Sequence, residues 1–351
     1  LYLSIEKNFE PTLLLPMGFG TLLVNLPLSS AIDQLAGTEV VEGALSMLFR
    51  MGIATEILPL LILIAVGAMC DFGPLLANPK VFLFGLAAQM GIFLTMGIAL
   101  LLGFNVYEAA SIGIIGAADG PTSIYVSTRF APHLLGPISV AAYTYMALVP
   151  MIQPPVIMAI TTEKERRMRM PAPTRVVTKR AKIFFPIAIT ILGGIIAPAS
   201  VSLLGFVMFG NLLRESGVTE RLSQAAQNEL ANIVTILLGF SISATMTGEK
   251  FVNTSTLIII AMGLVAFVLD TAGGVFTAKA LNLFLPTGKK INPMVGAAGI
   301  SAFPMSARTI QKMGQKADPS NHLLMHAVGA NVAGQIGSVL AGGVLLAYLG
   351  G

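Results

Sequence analysis

Apolar residues in this chain come in long runs set between clusters of charge. Runs near 11–28, 54–70, 81–104, 135–160, 183–199, 229–247, 254–278 and 323–349 are of the length, about 20 residues, that a helix needs to cross hydrocarbon. A shorter run near 198–212 is a further candidate. Two windows have the composition of membrane segments but predict broken ones: SIGIIGAADGPTSIYVSTR (111–129) and INPMVGAAGISAFPMSAR (291–308). Each combines small residues, a helix-breaking proline and polar groups. Irregular backbone survives at membrane depth only where protein buries it or it lines a wet cavity.

The two windows also match each other. GAAD at 116–119 aligns with GAAG at 296–299, MGFGTLL (17–23) with MFGNLLR (208–214), and EILPLLILIAVGAM (56–69) loosely with ANIVTILLGFSISATM (231–246). Paired Gly/Pro-broken segments in two halves are the sequence sign of a transporter core with its site at the repeat interface. The expected fold is therefore an all-α polytopic membrane protein of two transporter-like repeats, taken as inverted, each with a Gly/Pro-broken membrane segment. Its parts are a first repeat over 1–160, a basic loop over 161–182, a linking span over 183–197 and a second repeat over 198–351.

Composition agrees. Of 351 residues, 55% are hydrophobic and only 11% charged, with 36 Gly and 20 Pro. A soluble domain of this size carries about a quarter charged residues, and Gly and Pro are commoner in membrane helices than in soluble ones. There is no Trp for an interfacial belt, which leaves six Tyr and the flanking Lys/Arg. The net charge of +4 is a matter of topology. Lys164, Arg166, Arg167, Arg169, Arg175, Lys179, Arg180 and Lys182 face only Glu163 and Glu165 in 161–182, so this loop is expected in the cytoplasm. A nucleic-acid patch between two apolar spans is not. The single Cys70 excludes an internal disulfide. No signal peptide is visible; Glu6, Lys7 and Glu10 precede the first apolar run, and the chain starts at Leu1.

Asp119 is the strongest chemical signal. A carboxylate at the centre of a membrane helix costs about 2.5–3.5 kcal/mol on an insertion scale, so such residues are rare and functional. Gly120-Pro121 opens the helix behind it and frees carbonyls, giving an oxygen-rich nest suited to Na⁺, unless Asp119 is a loop residue that caps the start of a half-helix. Asn292 and Ser301 offer neutral oxygens that would complete a shell. Arg308 needs an anionic partner, a protein or substrate carboxylate, unless it snorkels from a helix end. Tyr145 is core packing or a proton donor, and Asn331 an ion ligand or interhelical glue. His322 and His326 have metal-pair spacing but lack the Glu of a zinc protease motif. There is no GxxxxGK[ST], no GxGxxG after a strand, no CxxC and no Met-Lys-Met for attaching biotin.

The stretches FGPLLANPK (72–80), GIIGAADGPTSIY (113–125), AAYTYMALVPMIQPP (141–155), TTEKERRMRM (161–170), FGNLLRESGVTERLS (209–223), NPMVGAAGISAFPMSAR (292–308) and LLMHAVGANVAG (323–334) resemble the β subunits of sodium-translocating biotin-dependent decarboxylases. The match runs from about residue 54 to the end and is poor over 29–53. The resemblance implies a subunit in the inner membrane of a prokaryote that decarboxylates carboxybiotin, consumes a proton and exports Na⁺. It implies as partners a carboxyltransferase subunit, a biotin carrier protein, a small single-span subunit and further copies of this chain. It carries ion, proton and carboxybiotin roles onto Asp119, Tyr145, Asn292, Gly296, Ser301 and Arg308, and an ion-site role onto Asn331. The rival reading is a Na⁺-coupled secondary transporter or Na⁺/H⁺ antiporter with no decarboxylase chemistry, which Arg308 and the cytoplasmic mouth discriminate. The parent acid would be chosen by the carboxyltransferase and is not written in this chain.

Overall fold

A computed structural model of the chain describes residues 1–7, 10–36, 39–171, 175–286 and 289–350; residues 172–174 of the basic loop fall outside them. The principal helices are α1 (Pro11–Val24), α2 (Ile57–Met69), α3 (Phe82–Ala88), α4 (Met90–Leu101), α5 (Val106–Gly113), α6 (Gly120–Phe130) and α7 (Leu135–Ile160). They continue with α8 (Lys179–Ile196), α9 (Val201–Ser216), α10 (Ala231–Ser243), α11 (Thr254–Phe284), α12 (Pro293–Ala297), α13 (Met305–Ala317) and α14 (Leu324–Leu349). The structure is consistent with the all-α expectation, with one small addition. An antiparallel hairpin, β1 (Gln34–Ala36) and β2 (Glu39–Val41), pairs Gln34 with Val41 inside the poorly matching stretch 29–53. The three residues of β2 are exposed, and the hairpin satisfies locally a backbone that no bundle helix covers.

Among the described residues, four helical stretches are long and apolar enough to cross a bilayer: Pro79–Leu101, Pro132–Ile160, Thr254–Phe284 and Leu324–Leu349. A bent pair, Ala44–Gly52 with Ile57–Met69, would make a fifth. Other predicted spans are shorter as helices than as apolar runs. Residues 11–28 yield 14 helical residues, and the helix that covers the 229–247 run ends at Ser243. Apolar character marks what lies in lipid or core, whereas helix length is set by where the backbone turns. α1 stops at Asn25, whose side chain bonds Met246 O (2.9 Å) and Gly248 N (2.7 Å) just beyond α10.

The helices pair crosswise between the two halves. α1 lies on α10 as α2 lies on α9, and α7 lies on α11 as α14 lies on α3. Small residues permit the contacts, as in membrane interfaces generally. A Cβ on Gly67 of α2 would strike the Val207 carbonyl of α9, and one on Gly210 of α9 would strike the Ile64 carbonyl of α2.

End contacts show which elements share a face. On the basic face, Lys182 reaches Asp71 (3.3 Å) and Glu215 (3.5 Å), Lys279 reaches Glu165 (3.1 Å), and Arg169 reaches Asp318 (2.6 Å). On the opposite face, Glu108 meets His133 (2.9 Å), and the Tyr107 and Phe130 rings lie 5.7 Å apart. α5 and α6 therefore form a helical hairpin that begins and ends on that opposite face. α12 and α13 form a second hairpin that begins and ends on the basic face.

Gly67→Leu is expected to force α2 away from α9. Overpacking of this kind costs about 1–3 kcal/mol, so the detergent-solubilised protein should melt several degrees lower. An unchanged melting temperature would show that this contact is not a close-packed seam.

Candidate functional site

The first hairpin turns through a short 3-10 segment, Ile114–Ala117, then Ala118 in the left-handed region (φ +55°) and Asp119 in extended backbone. Pro121 falls in the first turn of α6, where its missing N–H leaves no intrahelical bond unmade. The turn is therefore built from the run GAADGP. It leaves Asp119 only 4% exposed, with Oδ2 accepting from Thr122 Oγ1 (2.5 Å) and from Ser338 Oγ of α14 (3.1 Å).

The second hairpin turns through 298–304, and its tip meets the first. Ser301 N–H donates to the Ala117 carbonyl at 3.2 Å. The second tip is gripped by α14: Ser301 Oγ donates to Gly334 O (2.8 Å), Asn331 Nδ2 to Ile300 O (2.6 Å), and Gln335 Nε2 to Ser301 O. Asn331, Gln335 and Ser338 stand at i, i+4 and i+7, one face of a helix. That face touches both tips. A Cβ on Gly334 would strike the Gly299 carbonyl, so α14 needs glycine here to come so near.

Both amides of this face spend their NH₂ groups on the second tip and keep their oxygens unused. Asn331 Oδ1 and Gln335 Oε1 are buried with no hydrogen bond. Orphaned buried oxygens are rare and call for an explanation. These two lie on the same face of α14 as Ser338, which reaches the Asp119 carboxylate, so the candidate oxygens here (one carboxylate, two amide oxygens and the hydroxyls of Thr122 and Ser338) bear one formal negative charge. That set fits a monovalent ion better than Ca²⁺, which takes 6–8 oxygens.

The residues expected at the site are not all brought together. Asp119, Ser301 and Asn331 converge. Asn292 instead caps α12 at the hairpin entrance, its Oδ1 accepting from Met294 N (3.0 Å) and its Nδ2 donating to Arg166 O (3.0 Å) and Met168 O (2.8 Å). Gly296 lies backbone to backbone against Gly274 of α11, a seam that any side chain would open. Tyr145 donates its hydroxyl to Ile260 O (2.6 Å), and its ring lies 5.9 Å from Phe267. The tyrosine on Gly120 is Tyr143. Arg308, one turn into α13, is exposed and enters no ion pair among the described residues. Thr122, Gln335 and Ser338 did not stand out in the sequence. The signal for the last two was present in HAVGANVAGQIGS, as polar residues at helical spacing in a Gly/Ala helix.

The basic loop seals the second hairpin from its own face. Asn321 Nδ2 joins Asn292 on Arg166 O (3.1 Å) and Met168 O (3.2 Å), and His326 Nε2 lies 2.9 Å from Pro171 O. Beside it opens a cavity of about 640 Å³ lined by Lys164, Arg169, Lys279 and Lys290 with Glu165.

The family model for the Na⁺-transporting oxaloacetate decarboxylase beta subunit matches residues 1–349. The methylmalonyl-CoA decarboxylase subunit beta of Veillonella parvula is 53% identical, over 99% of this chain and 90% of its own. The glutaconyl-CoA decarboxylase subunit beta of Acidaminococcus fermentans is 52% identical, over 100% and 91%. The oxaloacetate decarboxylase beta chain of Klebsiella pneumoniae is 46% identical, over 99% and 92%.

The Arg169 guanidinium, aided by Ser320, holds the Asp318 carboxyl down at about 2, against an ordinary 3.8. An acid depressed on folding stabilises the pinned loop above its ordinary pKa and releases it as pH falls through the folded value. Protection of residues 161–171 from proteolysis should therefore hold from neutral pH to about pH 4 and weaken as pH falls from there towards 2. Arg169→Ala should raise the neutral-pH cleavage rate several-fold. Equal rates in variant and wild type would mean that the pair does not hold the loop.

Proposed function

The chain belongs to the family of Na⁺-transporting oxaloacetate decarboxylase beta subunits, and from that premise we propose that it decarboxylates carboxybiotin and couples the reaction to Na⁺ export. As a member it is the membrane subunit of a sodium-translocating decarboxylase. The finer reading is ours. A separate carboxyltransferase loads biotin on a carrier protein, the carrier docks on the basic face, and the membrane is the cytoplasmic membrane of a bacterium. A small single-span subunit and further copies of this chain complete the assembly.

One observation carries the reading: two helical hairpins, from opposite faces, touch tip to tip beside a buried carboxylate. The crosswise helix pairs and the opposite approach of the hairpins are what inverted repeats would produce. They support that arrangement with Ile57–Met69 matching Ala231–Ser243. Asp119, with the free oxygens of Asn331 and Gln335, holds Na⁺. Ser301 joins the two tips. Asn292 and Gly296 support the second hairpin rather than the ion.

Arg308 belongs to the same rigid element as the second tip. Its free guanidinium is a two-pronged donor for a carboxylate, here that of carboxybiotin. Cleavage of the N–CO₂ bond leaves the electron pair on the ureido nitrogen, which takes up a proton as CO₂ departs. Tyr145 is our candidate to relay that proton, after leaving the Ile260 carbonyl. Loss of the carboxylate frees Arg308, and α13 transmits the change to Ser301 and so to the ion. Moving one charge outward costs about 2.3 kcal/mol per 100 mV, and coupling requires one two-state element that both ligands bias. The second hairpin is that element. An ordinary Na⁺-coupled carrier would use the same tips but would leave Arg308 without a task.

Asp119→Asn should insert normally yet abolish Na⁺-dependent decarboxylation and Na⁺ uptake into inverted vesicles; near-normal turnover would remove Asp119 from the site. Arg308→Lys should keep Na⁺ protection against thermal unfolding but lower turnover of the reconstituted complex about 10- to 100-fold. That is the effect of losing one charge-assisted bond, about 1.5–3 kcal/mol. Wild-type turnover would return Arg308 to a helix-end role, and equal loss of both properties would place it in the ion site.

A further inference from the structure

A second carboxylate lies inside the apolar bundle and has no part in the mechanism above. Asp270 stands near the middle of α11, 1% exposed, and enters no ion pair among the described residues. Its oxygens face the backbone N–H groups of Gly91 and Ile92, on the first turn of α4, without forming an aligned hydrogen bond. Its neighbours are glycines because nothing larger fits. A Cβ on Gly91 would fall on Oδ1, and a Cβ on Gly116 would fall on Oδ2. One oxygen therefore rests on α4 and the other on the 3-10 turn that leads to Asp119.

The surroundings are short of hydrogen-bond partners in the same way as those of Asp119. Thr271, the next residue, and Thr95, one turn along α4 from Gly91, are buried with hydroxyl oxygens that bond to nothing. A carboxylate sunk in a low-dielectric bundle with no cationic side chain is unstable unless it takes up a proton or recruits a cation. The N–H dipoles of the first turn of α4 contribute only a fraction of a charge. The residue is also rare by position, since ionisable groups in membrane helices mark ion pathways.

We infer that Asp270 forms a second site for a small monovalent cation, on the α11 face of the Ile114–Asp119 turn, as Asp119 occupies its α14 face. One carboxylate, with no cluster of acidic groups beside it among the described residues, suits a monovalent ion such as Na⁺ and carries too little charge for a divalent one. Both sites then bear on one turn, so filling either stabilises the same conformation of the first hairpin. This inference goes beyond the function proposed above and does not require Asp119 to bind an ion.

The test is equilibrium binding of radiolabelled Na⁺ to the full chain in lipid nanodiscs. The wild type is expected to bind two ions, and Asp270→Asn one. Gly91→Ala, which crowds Oδ1 from α4 and leaves the Asp119 side chain and its partners intact, should weaken one of the two ions by tenfold or more. It decides the matter if Asp270→Asn does not fold. A wild type that binds no ion, an unchanged count in Asp270→Asn, or wild-type affinity for every ion in Gly91→Ala would overturn the inference. If Asp119→Asn keeps both ions while Asp270→Asn loses one, this site stands and the reading of Asp119 fails.

Discussion

The hydrogen bond from Ser301 N–H to the Ala117 carbonyl is the contact on which the centre of this protein depends. Each hairpin interrupts its helix inside the apolar bundle, and each interruption exposes peptide groups that apolar surroundings cannot satisfy. The two tips solve this problem for each other, and α14 supplies the remaining partners from Asn331, Gly334 and Gln335. What is left over after that exchange is a carboxylate held only by the hydroxyls of Thr122 and Ser338, and two amide oxygens with no protein donor. The proposed ion site is thus a by-product of how the breaks are sealed: the amide donors are spent on backbone, and the acceptors remain.

This arrangement also explains why the tips can act as one device. Ser301 touches the first tip and α14, and Arg308 follows on the helix that leaves the same turn. A shift of the second hairpin must change Ser301, and a change at Ser301 is felt at the Ala117–Asp119 turn. On the α11 side, Asp270 presses on Gly116 of that turn. Packed elements of this kind have discrete arrangements rather than a continuous range, which is what coupling between chemistry and transport requires.

Glycine sets the distances throughout. At Gly67–Val207, Gly274–Gly296 and Gly299–Gly334 backbone meets backbone, and a methyl group at any of these glycines would strike the opposing helix or turn. With no hydrophobic force between helices in lipid, such close contacts supply the dispersion energy that holds the bundle. The same closeness leaves Gly296 and Asn292 with structural tasks: the first closes a seam on α11, and the second caps α12 and fastens the basic loop.

The sequence by itself determined that this is a helical membrane chain, where its two breaks fall, and that Asp119 is anomalous. These are matters of composition and local chemistry: charge is excluded from lipid, and Gly-Pro cannot continue a helix. The repeated GAAD and GAAG words located the two tips but not that they touch. Tertiary structure alone decided which polar residues meet. Tyr145 and Tyr143 are two positions apart on α7 and so point to different neighbours, one to α11 and one to Gly120. Gln335 and Ser338 became partners of the site only because α14 lies across both tips, and Asp270 only because α11 presses it on Gly91 and Gly116. The physical reason is that a residue type limits what a side chain can bond, whereas the packing of glycine-lined helices chooses which of the possible partners come within reach.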